Sequence, residues 1–450
     1  MSRLVNLPEP DKEAIAAARA QVERLEVALA RLSREFQGYL AGRAVEWEQV
    51  QSALPRGAAL LSLRAFHPMD FATGDFGEPH WLALLIPADP GDGPEIVLKD
   101  LGLVAPTVAA HQALRETGSA EAARTLYRLL FGALDAQLAE YERLYIAPDG
   151  MLDLVAFARL MVPDGRYWAE RQALHQVRVG RDLAQQGSAP AAGGMVVVGG
   201  VDYSGFPESE EGPPIPVKAP EAKDDLLVMN RRLRNERGDF ASLKFTGLEA
   251  DAVGQFYWDY YGRKAQVWQG READEGRLKA LKEPPRVLHL ATHGFFLTQN
   301  AERTERRPLT LAGLALAGAN AGMKGTLNTS GEDGVLYALE AQDLNLEGTE
   351  LVTLSACDTG RGEVDYSEGV YGLVRAFRIA GAHNVLMTLW PLNDRLAADF
   401  MKDFYAKWFE DPKRHPAEAL QETRLAWIRS KDPKRSDPTY WAPYVLIEGR

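Results

Sequence analysis

The sequence predicts an α/β fold, a mostly parallel sheet wrapped by helices. Short apolar runs at Leu144–Ala147, Met195–Val198, Arg286–Ala291, Glu350–Ser355 and Asn384–Leu389 have the length and composition of strands. Helical or loop stretches separate them, which is the alternation that lays helices over a parallel sheet. The composition agrees: 46% hydrophobic and 25% charged residues over 450 positions suit a folded globular chain and not a disordered one.

The first segment reads as one long helix. Ile15, Ala18, Val22, Leu25, Leu29, Leu32, Phe36 and Tyr39 follow one another at alternating steps of three and four, an a/d seam, until Gly38 and Gly42 weaken the helix. Such a seam packs either on its own domain or on a second chain, so self-association is one expectation. From Ala58 the pattern becomes strands at Leu60–Arg64, Trp81–Ile86 and Ile96–Lys99, with helices at Thr107–Glu116 and Ala120–Glu142. Leu144–Ala147 ends at Pro148-Asp149-Gly150, a turn signal. Gly187–Gly194 reads as a flexible connector, and 204–240, rich in Pro, Glu, Lys and Arg, as a long mobile loop open to nicking at Arg231-Arg232-Leu233-Arg234. A second such loop is expected at 298–308. The organisation is therefore a helical segment at 1–52, a first half at 53–186 and a second half at 187–450. The halves share a weak repeat: 143–150 (RLYIAPDG) and 287–294 (VLHLATHG) are both apolar strands ending in A-x-x-G, with Asp149 standing where His293 stands.

Charge and cysteine content exclude several classes. A formal net charge of −12 argues against nucleic acid as the main partner. No apolar stretch is long enough to cross a membrane, and the first residues lack a secretory apolar core. One cysteine allows neither an intrachain disulfide nor a multi-cysteine zinc site, and it fits a reducing cytoplasm. That cysteine is either core filler or a reagent.

Two strand ends carry the candidate chemistry. Leu288–Phe296 delivers His293 and then Gly294; Leu351–Gly360 delivers Cys357. Ligands of open parallel sheets bind beyond the carboxyl ends of the strands, so on neighbouring strands the imidazole and thiol would face each other there. A thiol with pKa near about 8.5 is only a few per cent thiolate at neutral pH. A histidine beside it takes the proton and later returns it to a leaving amine. Gly294 lets the backbone approach closely, so its N–H can point at an oxyanion. His289 alternates into the strand and reads as a buried structural histidine. With His293 it does not make a zinc pair, because the segment is a strand and position 290 is Leu. Neither a metal nor an organic cofactor is called for.

The segments ATHGFF (291–296), LSACDTGRG (354–362) and GVYGLVRAFRIAGAHNVLMTLWPLND (369–394), with the tail YWAPYVLI (440–447), resemble the CHAT family, caspase-like domains often found with tetratricopeptide repeats. The resemblance is weak from about residue 50 and strong over 285–448. It implies a caspase-like cysteine endopeptidase with Cys357 as nucleophile, His293 as base, and the N–H groups of Gly294 and Cys357 as oxyanion hole. It also implies a degenerate first half before the active one, a role in bacterial defence or programmed death, a protein substrate and an activating protein partner. No 34-residue helical repeat is present, which puts repeat-mediated activation in doubt. Local acids, Asp333 and Asp358 with Glu332, Glu363 and Asp365, suggest a pocket for Arg or Lys, unless they are ordinary loop charges. By the family pattern the strand ending at Leu389-Trp390 pairs with substrate, which makes Trp390 line the adjacent subsite. The rival reading is a CHAT-like scaffold without catalysis that acts by binding.

Overall fold

The computed structural model describes residues 45–88, 96–184, 188–207, 215–216, 224–297, 312–357, 366–390, 392 and 394–449. The heptad seam, the loop at 298–308 and Asp358 lie outside the described residues. The strands are β1 (Ala58–Phe66), β2 (His80–Pro87), β3 (Val97–Leu103), β4 (Arg143–Ala147), β5 (Ala173–Val177), β6 (Met195–Val201), β7 (Gln266–Gly270) and β8 (Val287–Phe296). They continue with β9 (Ala312–Ala315), β10 (Val335–Tyr337), β11 (Leu351–Cys357), β12 (Asn384–Thr388) and β13 (Tyr444–Glu448). All thirteen join one sheet. Its order is β10-β9-β8-β11-β12-β13-β5-β4-β1-β2-β3, with β6 also on β8 and β7 beyond it. The longer helices are α1 (Trp47–Ala53), α2 (Val104–Thr117), α3 (Ala120–Phe131), α4 (Asp224–Arg237), α5 (Thr246–Tyr261), α6 (Tyr366–Ile379), α7 (Asp394–Glu410) and α8 (Pro416–Ile428).

The sheet is mostly parallel and changes direction once in its middle. β7, β6, β8, β11 and β12 run one way. β13 pairs antiparallel with β12, and β5, β4 and β1 run parallel to β13. The carboxyl ends of β8, β11 and β12 therefore share one edge, and those of β1, β4 and β5 the opposite edge. Asp149, which follows β4, is thus far from His293; its carboxylate accepts the Ala65 N–H at 3.1 Å.

Central strands are buried on both faces, which is why they read as unbroken apolar runs rather than as alternation. In β8 every residue from Val287 to Phe295 is buried. Leu288, Leu290, Val352 and Leu354 point into one core with Tyr203, Phe240 and Phe295. Val287, Leu351 and Leu386 point into the other, under Phe404, Tyr405 and Trp408 of α7.

Three segments differ from expectation. Residues 224–237, read as loop, form α4, where Leu233 is fully buried; charged residues on its other face masked the helix in composition. The helix expected over Ala120–Glu142 ends at Phe131, with Gly132 as its C-cap, and resumes only as a single turn. The described part of the connector, 188–194, is irregular but seated: Ala191 N–H bonds to Gly348 O at 2.7 Å, and a side chain at Gly193 would collide with Pro284 O.

Candidate active site

Cys357 closes β11 and is placed by its backbone. Along β11 and β8 the pairs run Leu354 with Leu290, Ser355 with Ala291, then Cys357 with Gly294. Two residues of β11 thus oppose three of β8, a bulge on β8 at Thr292-His293. A bulge re-aims the side chains beyond it. His289 belongs to the face under α7, and in a regular strand His293 would share that face. Instead the His293 ring lies among Tyr203 and Phe240, with centroids at 5.2 and 5.5 Å, on the opposite face. The bulge therefore separates the two histidines and sets His293 and Gly294 beside the Cys357 backbone.

The His293 ring is held. It is 5% exposed, and Nε2 lies 2.7 Å from Ala241 O. A carbonyl can only accept, so Nε2 carries the hydrogen and Nδ1 is the ring's acceptor. The carbonyl is itself fixed: Asn320 Oδ1 accepts the Phe240 N–H at 2.7 Å, and Asn320 Nδ2 donates to Phe240 O at 3.0 Å. Thr292 donates to Ala315 O and bonds Tyr203 Oη at 2.9 Å, which anchors the bulge. Tyr203, Phe240, Ala241 and Asn320 escaped the sequence reading. A backbone carbonyl leaves no residue-type signal, and Phe240-Ala241 closes a segment read as loop.

His289 is fully buried and structural. Nδ1 lies 3.1 Å from Tyr405 Oη and Nε2 lies 3.0 Å from Glu249 Oε1, a carboxylate 1% exposed. The Nε2 contact has ion-pair distance without good hydrogen-bond alignment. Thr353 Oγ1 completes the cluster, 2.8 Å from Tyr405 Oη.

Asp333 precedes β10. Its carboxylate accepts Asn230 Nδ2 at 2.7 Å and the Val335 N–H at 2.9 Å. Burial is the largest influence on this carboxyl and, against those bonds, pushes it up to about 6. Through Asn230 it reaches the Tyr337 hydroxyl, and Tyr337 stacks edge-on against Phe295. Nearby, Glu275, Glu332 and Glu340 converge on Lys279 Nζ at 2.7, 2.7 and 2.8 Å. Among the described residues this is the one carboxylate cluster tight enough for a cation, and the ammonium sits in its midst. Gly334, at φ +76, closes against Ala317 O where any side chain would clash, and its N–H donates to Glu275 Oε2.

Trp390 lies just past β12. Its Nε1 donates to Thr439 O at 3.0 Å, and Arg159 lies over its ring at 5.6 Å. The structure thus unites His293, Gly294 and the Cys357 backbone, sets Trp390 on the same sheet edge two strands away, and puts Asp333 behind Phe295. No described helix is long and apolar enough to cross a membrane.

Comparison with known proteins gives three results. The profile of the CHAT domain matches residues 120–448, well over half of the chain. Tetratricopeptide repeat protein 28 of mouse, and likewise of human, is 34% identical over 113 residues, a stretch that is 25% of this chain and 4% of theirs. Among solved structures, the Saccharomyces cerevisiae separase–securin complex is similar at 7% identity and TM-score 0.46, covering 92% of this chain and 31% of that one. Gingipain R, an Arg-specific cysteine proteinase, is similar at 6% identity and TM-score 0.39, covering 74% and 67%.

Proposed function

As the chain belongs to the CHAT domain family, we propose that it is a cysteine endopeptidase with Cys357 as nucleophile and His293 as general base. The observation that carries the reading is the bulged register, which brings the chain's single cysteine beside Gly294 and the re-aimed His293. The fixed tautomer supports it, since an Nδ1 acceptor is what deprotonating a thiol requires.

The steps follow from these groups. The thiol proton passes to His293 Nδ1 as sulfur attacks the substrate carbonyl carbon. The resulting oxyanion accepts N–H bonds from Gly294 and Cys357. The C–N bond then breaks, the imidazolium gives its proton to the leaving amine, and a thioester remains. Water, deprotonated by His293, attacks the thioester; sulfur leaves and recovers the proton.

The wider assignments are parts of the same proposal. Asp333 and Asp358 would favour Arg or Lys before the cut bond, and Trp390 would line a neighbouring subsite. The first half, 53–186, would be the degenerate copy of the peptidase half, 187–450. The enzyme would work in the cytoplasm, in bacterial defence or regulated death, on a protein substrate and under an activating partner.

The test is a randomised peptide library incubated with the chain and read by mass spectrometry. Wild type is expected to cut, and Cys357→Ala and His293→Ala to lose at least about a thousandfold in rate while keeping the fold. Cleavage that persists in Cys357→Ala sinks the mechanism, because the chain has no second cysteine.

A further inference from the structure

A small cleft beside the candidate active site is lined by His111, Leu114, Arg115, Arg159, Leu389 and Trp390, with a cavity of about 50 Å³. On this measure about 10–15 Å³ is room for one water, so the space is large enough for a small polar head such as a carboxylate. In a chain of net charge −12, this lining holds two guanidiniums and a histidine and no carboxylate.

Arg159 is the unusual member. It is 8% exposed, yet among the described residues no carboxylate lies within ion-pair distance of it. Its guanidinium donates to Gly118 O at 3.0 Å, the left-handed glycine that ends α2, and lies over the Trp390 ring. The acids that act on it through space are Tyr167 and Asp437, and the Asp437 carboxylate already accepts the Thr439 N–H at 2.8 Å. A buried cation is ordinarily paired, since desolvating it alone is costly. His111 adds no positive charge of its own: burial first, and then Arg115, hold its imidazole down to about 4, which keeps it neutral at pH 7. Arg115 stands at the exposed rim.

The cleft opens where β12 ends, two strands from β8. Strands lie about 4.8 Å apart, so the cleft is about 10 Å along the sheet edge from His293, the reach of about three extended residues. We propose that this cleft is an anion subsite that takes a carboxylate, Arg159 pairing with it over the Trp390 ring and Arg115 closing it from the rim. The carboxylate comes from an acidic substrate side chain about three residues from the cut bond, or from a free small anion. Only the first source rests on the peptidase reading.

Binding is measured on the full chain carrying Cys357→Ala, so that nothing is cut. Hexapeptide mixtures with Glu or Gln fixed at each position in turn are titrated by fluorescence polarisation, and glutarate and inorganic phosphate by calorimetry. At one position the Glu mixture is expected to bind about tenfold tighter than the Gln mixture, as a charge-assisted pair allows. Arg159→Lys, which keeps the charge but loses the planar fork, and Arg115→Gln, at an exposed site, should each cut that ratio severalfold. Binding of glutarate or phosphate that depends on Arg159, without peptide discrimination, assigns the subsite to a free anion. If no peptide binds at all, the peptidase reading suffers while the small-anion titration still decides this one. Equal binding of Glu and Gln everywhere, with no Arg159-dependent binding of glutarate or phosphate, overturns the proposal and leaves Arg159 as a cap of α2.

Discussion

Asn320→Ala tests whether the imidazole is positioned from a distance. Asn320 holds both backbone groups of Phe240, whose neighbour Ala241 receives the His293 Nε2–H. Removing it deletes two hydrogen bonds, each worth about 1 kcal/mol net, so stability should fall by about 2 kcal/mol. At about 2.1 cal/mol/K per residue, that lowers the melting temperature of a chain this size by only about 2 °C. The larger effect should appear in the thiol. With a single cysteine, alkylation by iodoacetamide reports Cys357 alone, and its rate against pH reports the thiolate. In wild type the midpoint should lie below about 8.5, because the paired imidazole takes the proton; in Asn320→Ala it should move toward that value, with a rate loss at pH 7 of about tenfold. Asn320→Asp keeps the acceptor for the Phe240 N–H and should recover part of the shift. A variant that loses the expected stability but keeps the wild-type alkylation profile would refute the positioning argument.

Two further outcomes concern the acidic side of the site. Asp333 is raised in the fold from 3.8 to about 6, so the folded chain binds the extra proton, and stability falls as pH rises through that window. Between pH 5 and 8 this costs wild type about one pKa unit, or about 1.4 kcal/mol. Urea unfolding of Asp333→Asn should therefore improve relative to wild type over that range; a pH-independent difference contradicts the buried carboxyl. Lys279→Met leaves Glu275, fully buried, beside Glu332 and Glu340 without a cation, and should destabilise by about 3 kcal/mol at pH 7 and much less at pH 5. An equal loss at both pH values would mean that the ammonium serves packing rather than charge.

The sequence reading reached the site through residue types and failed where geometry alone decides. β8, β11 and β12 were legible because a strand covered on both faces must be apolar throughout, and Cys357 and His293 stood out as candidates because a lone thiol and an imidazole at two strand ends is a rare conjunction. α4 was not, since its apolar residues, Leu226–Met229 and then Leu233, lie at one end and singly among arginines within a stretch whose flanks are rich in proline and charge. Neither was Ala241, whose contribution is a carbonyl common to every residue. The bulge is the instructive case. Strict alternation gives His289 and His293 the same face, and a sequence read with period two would pair them as ligands or as core. One inserted residue breaks that parity: His289 turns to Glu249 and Tyr405, His293 to Tyr203 and Phe240. The anchor for the insertion is Thr292, which bonds both Ala315 O and Tyr203 Oη, so Thr292→Val should weaken the bulge and let the strand regain its regular register. A regular register would carry His293 toward the α7 face, where Glu249 already occupies His289. The stability change of such a variant would be modest, while the thiol would lose its base, and that separation of effects is what a bulge built to aim one side chain should produce.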